Sequence, residues 1–423
     1  MSKIICVPES CIPPKPDSGI MYFCEYAVPK SQDRRIGHFG TELRKEIKKS
    51  GITPSIPAWD FMTIALSIAS ADHFVSRARA TDGWTRTIDI EIFLVDPQPW
   101  ITICKQLQNT LRFLTGDYWK ITFHQGGEPP KEPKKKEEFE TNCVSLLSGG
   151  LDSLIGAIDL IAEGRKPIFI SQTINSAIQE NFAKTVSKSS SHFQWTNAIH
   201  PKDNEPSTRS RSIVFFAFAA IIASNFGVQG SPFDIIVPEN GFISLNIPLN
   251  PGRMGSYSTK TTHPVYLKGL QDIWQKVGLH ARLILPYQFK TKGELLSECK
   301  NDSLVQSLAS MSVSCGRFGR KHKHCGRCVP CMVRRAAFIK AGIQDDTAYI
   351  KDDLAVLKSR PDQGADDIGA MAAACLQIEQ DGIESLIQGN LFFAPEDEFA
   401  NYQEVVKRGF VEIRQLLQKY RIL

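Results

Sequence analysis

The chain lacks any apolar run long enough to cross a membrane. Its longest, residues 213–223, falls well short of the roughly 18–20 residues a span requires. That run follows Arg209 and Arg211, so it reads as a buried core helix, and no membrane association is expected. The opening MSKIICVPESCIPP lacks the apolar core and cleavage site of a secretory signal. With no export signal, eleven cysteines speak for reduced thiols and a metal rather than disulfides, and a cytoplasmic protein is expected. Strong charge of one sign is missing too. A net charge of +5 over 423 residues permits ATP or an acidic partner and gives no argument for nucleic acid. No internal repeat is visible. What remains is ordinary globular composition, 42% apolar and 22% charged, with room for two or three domains.

The clearest boundary is GGEPPKEPKKKEEFETN, residues 126–142, whose prolines, glycines and mixed charges build no packed element and read as a linker. Ahead of it, residues 1–125 read as an α+β domain. Ile88, Ile90, Ile92 and Leu94 alternate with Asp89, Glu91 and Phe93 as in a half-buried strand. Pro97 and Pro99 stop it, a helix over 102–114 ends at Gly116, and Trp119, Ile121 and Phe123 alternate again. Asp60 and Asp72 lie in a helical stretch as solvated or capping residues. After the linker, residues 143–345 alternate strand and helix: strands at 144–147, 167–171 and 233–237, helices at 154–162 and from Ile213. That alternation is the signature of an α/β fold with a parallel sheet. Residues 346–423 read as helical, with Val406, Phe410, Ile413, Leu417 and Tyr420 on one face as core or partner surface.

Between the first strand and helix of the second region stand Ser148, Gly149, Gly150, Leu151, Asp152 and Ser153. A strand–turn–helix of this composition aims backbone N–H groups and a helix N-terminus at an anion, the glycines allowing close approach. It is not a Walker loop, which needs Lys after the second Gly. In parallel sheets ligands bind outside the carboxyl ends of the strands, which puts this turn and the segment after Val237 on one edge.

Cys315, Cys325, Cys328 and Cys331 are spaced C-x9-C-x2-C-x2-C. Cys-x-x-Cys turns bring thiolates close enough to share one tetrahedral Zn²⁺, and Gly326 suits the knuckle. With all four ligands thiolates, the site is expected to be structural and closed. His322 and His324, with Arg317, Arg320, Lys321 and Lys323, are assigned to a solvated loop. A nucleic-acid-reading finger is disfavoured because no recognition helix separates the cysteines. Cys143 and Cys299 stand alone and read as small core residues.

Ser-Gly-Gly-x-Asp-Ser resembles the PP-loop of ATP pyrophosphatases, which split ATP to AMP and pyrophosphate to activate a substrate oxygen. That loop followed by the cysteine cluster resembles the 7-cyano-7-deazaguanine synthase family over about residues 143–341. The resemblance implies a PP-loop fold, structural zinc, Mg²⁺, and ATP-driven conversion of 7-carboxy-7-deazaguanine to amide and nitrile. The enlarged build, with PENGFISLN at 238–246, is similar to the synthase-like component of Qat-type antiphage operons, which implies a protein partner from the same defence system. By this resemblance residues 148–153 hold the phosphates, with Asp152 near Mg²⁺. Arg209 and Arg211 clamp pyrophosphate, and Lys292 is catalytic. Thr291-Lys292-Gly293-Glu294 equally spells a capping box. The chain departs from the family at Ser171-Gln172-Thr173, where a Gly-Gln pair is expected. It departs again at residues 238–264, which include Arg253, Lys260 and His263 in place of a shorter substrate segment. The position of that segment gives Glu239 and Asn240 a substrate role. The acceptor is ammonia or a protein amine. The rival classes are a thiolase, for which no cysteine is spare, and an inactive zinc-stapled scaffold.

Overall fold

The computed structural model of the chain describes residues 3–201, 205–249, 260–316, 318, 322–355, 367–387 and 389–423. Among the described residues, eleven strands form two sheets. They are β1 (Lys3–Val7), β2 (Ile20–Glu25), β3 (Ile36–Phe39), β4 (Thr87–Leu94), β5 (Tyr118–Gln125), β6 (Cys143–Leu146), β7 (Pro167–Gln172), β8 (His192–Trp195), β9 (Ile199–His200), β10 (Phe233–Ile236) and β11 (Ala281–Ile284). The first sheet runs β5-β4-β1-β2-β3-β9, the second β11-β10-β6-β7-β8.

The first sheet corrects the α+β expectation. Its strands β1 to β5 pair in parallel, with Ile4 opposite both Met21 and Ile90. Parallel pairing needs crossovers. Helices Thr41–Lys49 and Ile56–Phe74 lie in the connection from β3 to β4 and helix Gln98–Thr115 in that from β4 to β5, whereas β1 to β2 and β2 to β3 are joined without an α-helix. The last of these helices begins at Gln98, earlier than the 102 read from the sequence, because Pro99 sits in its first turn. Its end falls at Gly116, in the left-handed conformation. β9, from beyond the linker, closes this sheet antiparallel to β3. The linker itself is pinned: Trp59 Nε1 donates to the Glu128 carbonyl at 2.8 Å, and Phe139 packs edge-on to Phe193 and Phe226.

Helix Ile56–Phe74 is buried all round from Ala58 to Asp72, and Arg211–Ala223 is nearly as enclosed. A helix apolar on every side belongs in a core. These two pack on each other between the sheets, in one apolar cluster running from Ile4 to Leu283. At roughly 1.5–3 kcal/mol per large side chain buried, Ile213, Phe216, Phe218, Ile221 and Ile222 make this layer a principal source of stability. Among the described residues no helix is long and apolar enough to cross a membrane.

The second sheet is parallel throughout. From β6 the chain moves through β7 and β8 on one side, then returns to lay β10 and β11 on the other. The order reverses at the β6/β10 boundary, the topological switch point where such sheets open a crevice. The C-terminal helices Ile368–Asp381 and Glu396–Lys419 pack their apolar faces into a second cluster that includes Phe242, Leu245 and Met332. The stripe of Val406, Phe410, Ile413 and Leu417 is core.

Candidate functional site

The turn 148–153 leaves β6 at that switch point and runs into helix Leu151–Ala162, with Gly150 as its N-cap. Gly149 has φ +85°, a backbone that L side chains rarely adopt. Ser148 Oγ donates to Ser153 Oγ at 3.1 Å and accepts Gly150 N–H at 3.3 Å, while Ser153 Oγ donates to the Gly150 carbonyl at 2.9 Å. Gln179 Nε2 ties the Ser148 and Gln172 carbonyls together at 3.1 and 3.0 Å. Val313 N–H holds the Gly149 carbonyl at 2.8 Å. The carbonyls are thereby turned into protein. The first-turn N–H groups of an α-helix have no acceptor within the helix, and no side chain caps this one. Leu151 contributes backbone only, its side chain being core.

Asp152 is 4% exposed. Its Oδ1 pairs with Lys292 Nζ, and its Oδ2 accepts Asn240 N at 3.1 Å and Asn240 Nδ2 at 2.6 Å. Asn240 in turn N-caps the short helix Gly241–Leu245 through Ile243 N at 3.0 Å. Four residues predicted separately, Asp152, Lys292, Glu239 and Asn240, therefore form one cluster. Burial alone would raise the Asp152 carboxyl. The Lys292 charge and hydrogen bonds from Glu239, Lys292 and Asn240 outweigh it and hold the group below the usual carboxylate range. Glu239 goes the other way: burial and the Asp152 charge push it well above its ordinary value. Two neighbouring carboxyls are thus driven in opposite directions, the pattern by which acid and base roles are divided within one site.

Lys292 opens helix Lys292–Ser297, whose capping box is present: Glu294 N–H donates to Thr291 Oγ1 at 3.1 Å and Thr291 N–H to Glu294 Oε2 at 2.8 Å. A residue that sequence reasoning missed lies beneath it. Glu412, in the C-terminal helix and 5% exposed, accepts the Thr291 hydroxyl at one oxygen and Gly293 N–H at 3.2 Å with the other. Burial raises its carboxyl to about 7, against the hydrogen bonds from Thr291 and Gly293. The one sequence hint was an acid interrupting an apolar stripe.

Arg209 and Arg211 fall elsewhere. The backbone N–H groups of Arg209 and Ser210, just ahead of helix Arg211–Ala223, donate at 2.7 and 2.8 Å to Asp72. Asp72 thus fixes the segment that leads into that helix. Asp72 also pairs with Arg86, and Asp117 takes Arg77 at 2.8 Å and Arg86 at 2.6 Å. Arg209 donates to the Thr115 carbonyl at 3.2 Å and lies over Trp84. Arg211 is exposed. Asp60 and Asp72 are both buried: Asp60 accepts Val95 and Asp96 N–H at 2.9 Å, loop donors ahead of helix Gln98–Thr115, so the solvated reading does not hold. Arg253 lies outside the described residues, as do Arg317, Arg320 and Lys321. Gln172 is buried and donates to Asn197 at 2.9 Å.

The four sulfurs of Cys315, Cys325, Cys328 and Cys331 lie within 4.8 Å of one another. Cys325 and Cys331 sulfurs are 3.8 Å apart, Cys315 and Cys328 sulfurs 4.0 Å. Tetrahedral Zn–S bonds of about 2.3 Å put ligand sulfurs about 3.8 Å apart, so the donor set fits zinc. Gly326, at φ +85°, lets the knuckle pass the Lys351 carbonyl, which a Cβ would meet at 2.2 Å. Cys328 is the N-cap of helix Val329–Ala341. His324 corrects the solvated-loop reading. It is 3% exposed, accepts Ser314 N–H at 3.1 Å with Nε2, and lies edge-on to Phe318 and Tyr349.

The fold and site define an α/β protein with a Gly-Gly βα turn at the switch point of a parallel sheet and a four-cysteine cluster that could hold a metal ion. Its similarities among known proteins point one way. It is 22% identical over 237 residues to the 7-cyano-7-deazaguanine synthase of Sulfolobus acidocaldarius, covering 52% of this chain and 50% of that one. It is 40% identical over 70 residues to the enzyme of that name from Paracoccus denitrificans, covering 16% and 28%. A third, from Brucella ovis, is 30% identical over 99 residues, covering 23% and 36%. The chain spans half or less of the length of these curated relatives. The matches support kinship with the 7-cyano-7-deazaguanine synthases. No family model and no solved structure matches the chain.

Proposed function

We propose that the chain is an ATP-dependent adenylating enzyme of the PP-loop kind that activates a carboxylate on a 7-carboxy-7-deazaguanine-like base. The observation that carries this reading is the convergence of the Ser148–Ser153 turn with Lys292, Asp152, Glu239 and Asn240 at one switch point. In this reading the ATP phosphates rest on the first-turn N–H groups of residues 151–153 and on Lys292. A carboxylate oxygen attacks the α-phosphorus, pyrophosphate leaves, and an amine displaces AMP to form the C–N bond. The protein orients the reactants and supplies fixed positive charge to the phosphoryl oxygens.

Asp152 is the positioning residue for Lys292 and Asn240. Glu239, its carboxyl pushed up by burial and the Asp152 charge, and Asn240 face the base. Arg211 is the remaining candidate for pyrophosphate, since Arg209 is committed to Thr115 and Trp84. Mg²⁺ would arrive with the nucleotide; both Asp152 oxygens are engaged by protein, so no step is assigned to the ion. Zinc, which the four cysteines would hold, would supply rigidity alone. The acceptor is ammonia or the amine of a partner protein, the latter in keeping with the resemblance to antiphage operons.

The test is AMP release from Mg-ATP by purified protein, with and without 7-carboxy-7-deazaguanine and ammonia, beside Lys292→Met. AMP that requires the deazapurine and Lys292 supports the reading. No AMP under any of these conditions, in zinc-loaded folded protein, sinks stand-alone activity and favours the scaffold.

A further inference from the structure

Three successive carbonyls at the entry to the Ser148 turn are held by groups from outside it. Leu147 accepts the Ser171 hydroxyl at 2.6 Å, Ser148 accepts Gln179 Nε2 at 3.1 Å, and Gly149 accepts Val313 N–H at 2.8 Å. In a planar trans peptide the carbonyl of one residue and the N–H of the next point in opposite directions. Drawing these carbonyls into protein therefore turns the N–H groups of Ser148, Gly149 and Gly150 away from it. Gly150 N–H reaches Ser148 Oγ at 3.3 Å. Among the described residues the other two have no acceptor.

Nothing within the turn enforces this arrangement. Gly149, at φ +85°, adopts either sign of φ with little cost, so the Ser148–Gly149 peptide is free to flip and point the Gly149 N–H inward. The group that opposes the flip is Gln179, in helix Ser176–Val186 and 1% exposed. Both protons of its amide leave its own helix. One goes to the Ser148 carbonyl just after β6, the other to the carbonyl of Gln172, the last residue of β7, at 3.0 Å. Its oxygen accepts Gln194 Nε2 from β8 at 3.4 Å. Its stem also abuts the turn, since a Cβ on Gly149 would meet Gln179 Cγ at 3.4 Å. The neighbouring carbonyl is secured in a similar way: Ser171 spends its proton on Leu147 and accepts His192 Nε2 at 2.8 Å.

The bland explanation is that a buried carboxamide must find partners somewhere. It does not account for the choice of partner. The Ser148 carbonyl belongs to the one peptide whose reversal would withdraw a ligand-facing N–H group from the turn.

We propose that Gln179 is the positioning residue of the Ser148 turn, holding the Gly149 N–H outward before any ligand arrives. A turn so ordered receives an anion without a reordering cost, and affinity gains by that amount. The inference rests on the adenylation reading for the identity of the anion, the phosphates of ATP. The ordering of the turn itself does not depend on it.

The experiment compares Gln179→Leu with wild type in the full-length, zinc-loaded chain. Leu removes both donors and keeps an apolar stem. Phe182→Leu is the control: Phe182 lies on the same helix, is 0% exposed, and loses core packing without touching the turn. Two quantities are read, hydrogen exchange at Val313, whose N–H is held by the Gly149 carbonyl, and the KM for ATP in AMP release. Gln179→Leu is expected to speed exchange at Val313 without nucleotide. It should raise the KM for ATP about 10- to 100-fold, as loss of two neutral hydrogen bonds requires, with kcat at saturating ATP unchanged, because bound ATP restores the turn. Phe182→Leu should lower the melting temperature and leave both readings as in wild type. A wild type that releases no AMP sinks the adenylation reading, while exchange at Val313 still decides the role of Gln179. Unchanged exchange at Val313 in Gln179→Leu, or the same changes in Phe182→Leu, overturns the proposal.

Discussion

Replacing Lys292 with Met keeps the length and apolar stem of the side chain and removes its charge. Asp152 then keeps two hydrogen bonds from Asn240 and loses its counter-ion in a site 4% exposed. Unit charges roughly 3 Å apart attract by about 5–6 kcal/mol at an effective dielectric of about 20. Desolvation costs several kcal/mol per ion, so the intact pair nearly breaks even. Removing one partner leaves the desolvation cost of the other uncovered, about 3–5 kcal/mol. Lys292→Met is therefore expected to lose about 3–5 kcal/mol, and Asp152→Asn a similar amount. The double variant should lie within about 1–2 kcal/mol of wild type. Urea unfolding followed by tryptophan fluorescence, at constant slope, reads the three differences. The Lys292→Met deficit should shrink in acid, where an unpaired Asp152 takes up a proton. Strictly additive losses, or a single variant costing under about 1 kcal/mol, would refute the reasoning, because they describe two solvated charges rather than one buried pair.

Three further outcomes are expected. Glu412 is raised from 4.5 to about 7 in the folded chain, so the folded state binds the extra proton between those values. Its contribution to stability is present below about pH 4.5 and lost as pH rises through 7. At about 1.4 kcal/mol per pKa unit, the stability gap between Glu412→Gln and wild type should grow by about 3 kcal/mol from acid to neutral pH, measured by urea unfolding across that range. Asp72→Ala leaves Arg86 short of one carboxylate and removes the acceptor of the Arg209 and Ser210 N–H groups; a loss of about 3–5 kcal/mol is expected, read by the same unfolding assay. Chelation, or Cys331→Ala, should remove zinc and lower the melting temperature together, since metal affinity of a preformed site is folding free energy; full stability without zinc by elemental analysis would show the thiol cluster to be idle.

Local chemistry is what the sequence made readable. The Ser148 turn, the cysteine spacing, the Thr291 capping box and the Gly116 helix end each depend on residues a few positions apart. The first sheet escaped because β1 and β2 are joined by segment 8–19, which holds only the short 3-10 turn Glu9–Cys11, so nothing in the pattern marked a parallel crossover. Asp72 escaped for a different reason. Its partners, Arg209 and Ser210, lie on the far side of the linker, and a carboxylate holding another segment's backbone looks in sequence like any helical acid. Arg209 and Arg211 were placed by resemblance, and the segment leading into the nearby helix was already fixed from the first domain.

The same distance effect decides what the C-terminal helices are for. By sequence they are an addition beyond the stretch that resembles the synthases. Yet Gly293 has no room for a Cβ, which would meet Glu412 at 2.6 Å, and Glu412 binds both Thr291 and Gly293. Arg408, one turn earlier, reaches Glu294 at 2.5 Å and the Phe289 carbonyl at 2.8 Å. The helix Lys292–Ser297 is short, and isolated helices of that length have no stability of their own. Its start, and with it the Lys292 ammonium against Asp152, is held by its own capping box, by packing on helix Val329–Ala341, and by the bonds from helix Glu396–Lys419. A truncation before Glu396 should therefore disturb the Asp152–Lys292 pair as Lys292→Met does, although it removes no residue of the turn, the pair or the zinc knuckle.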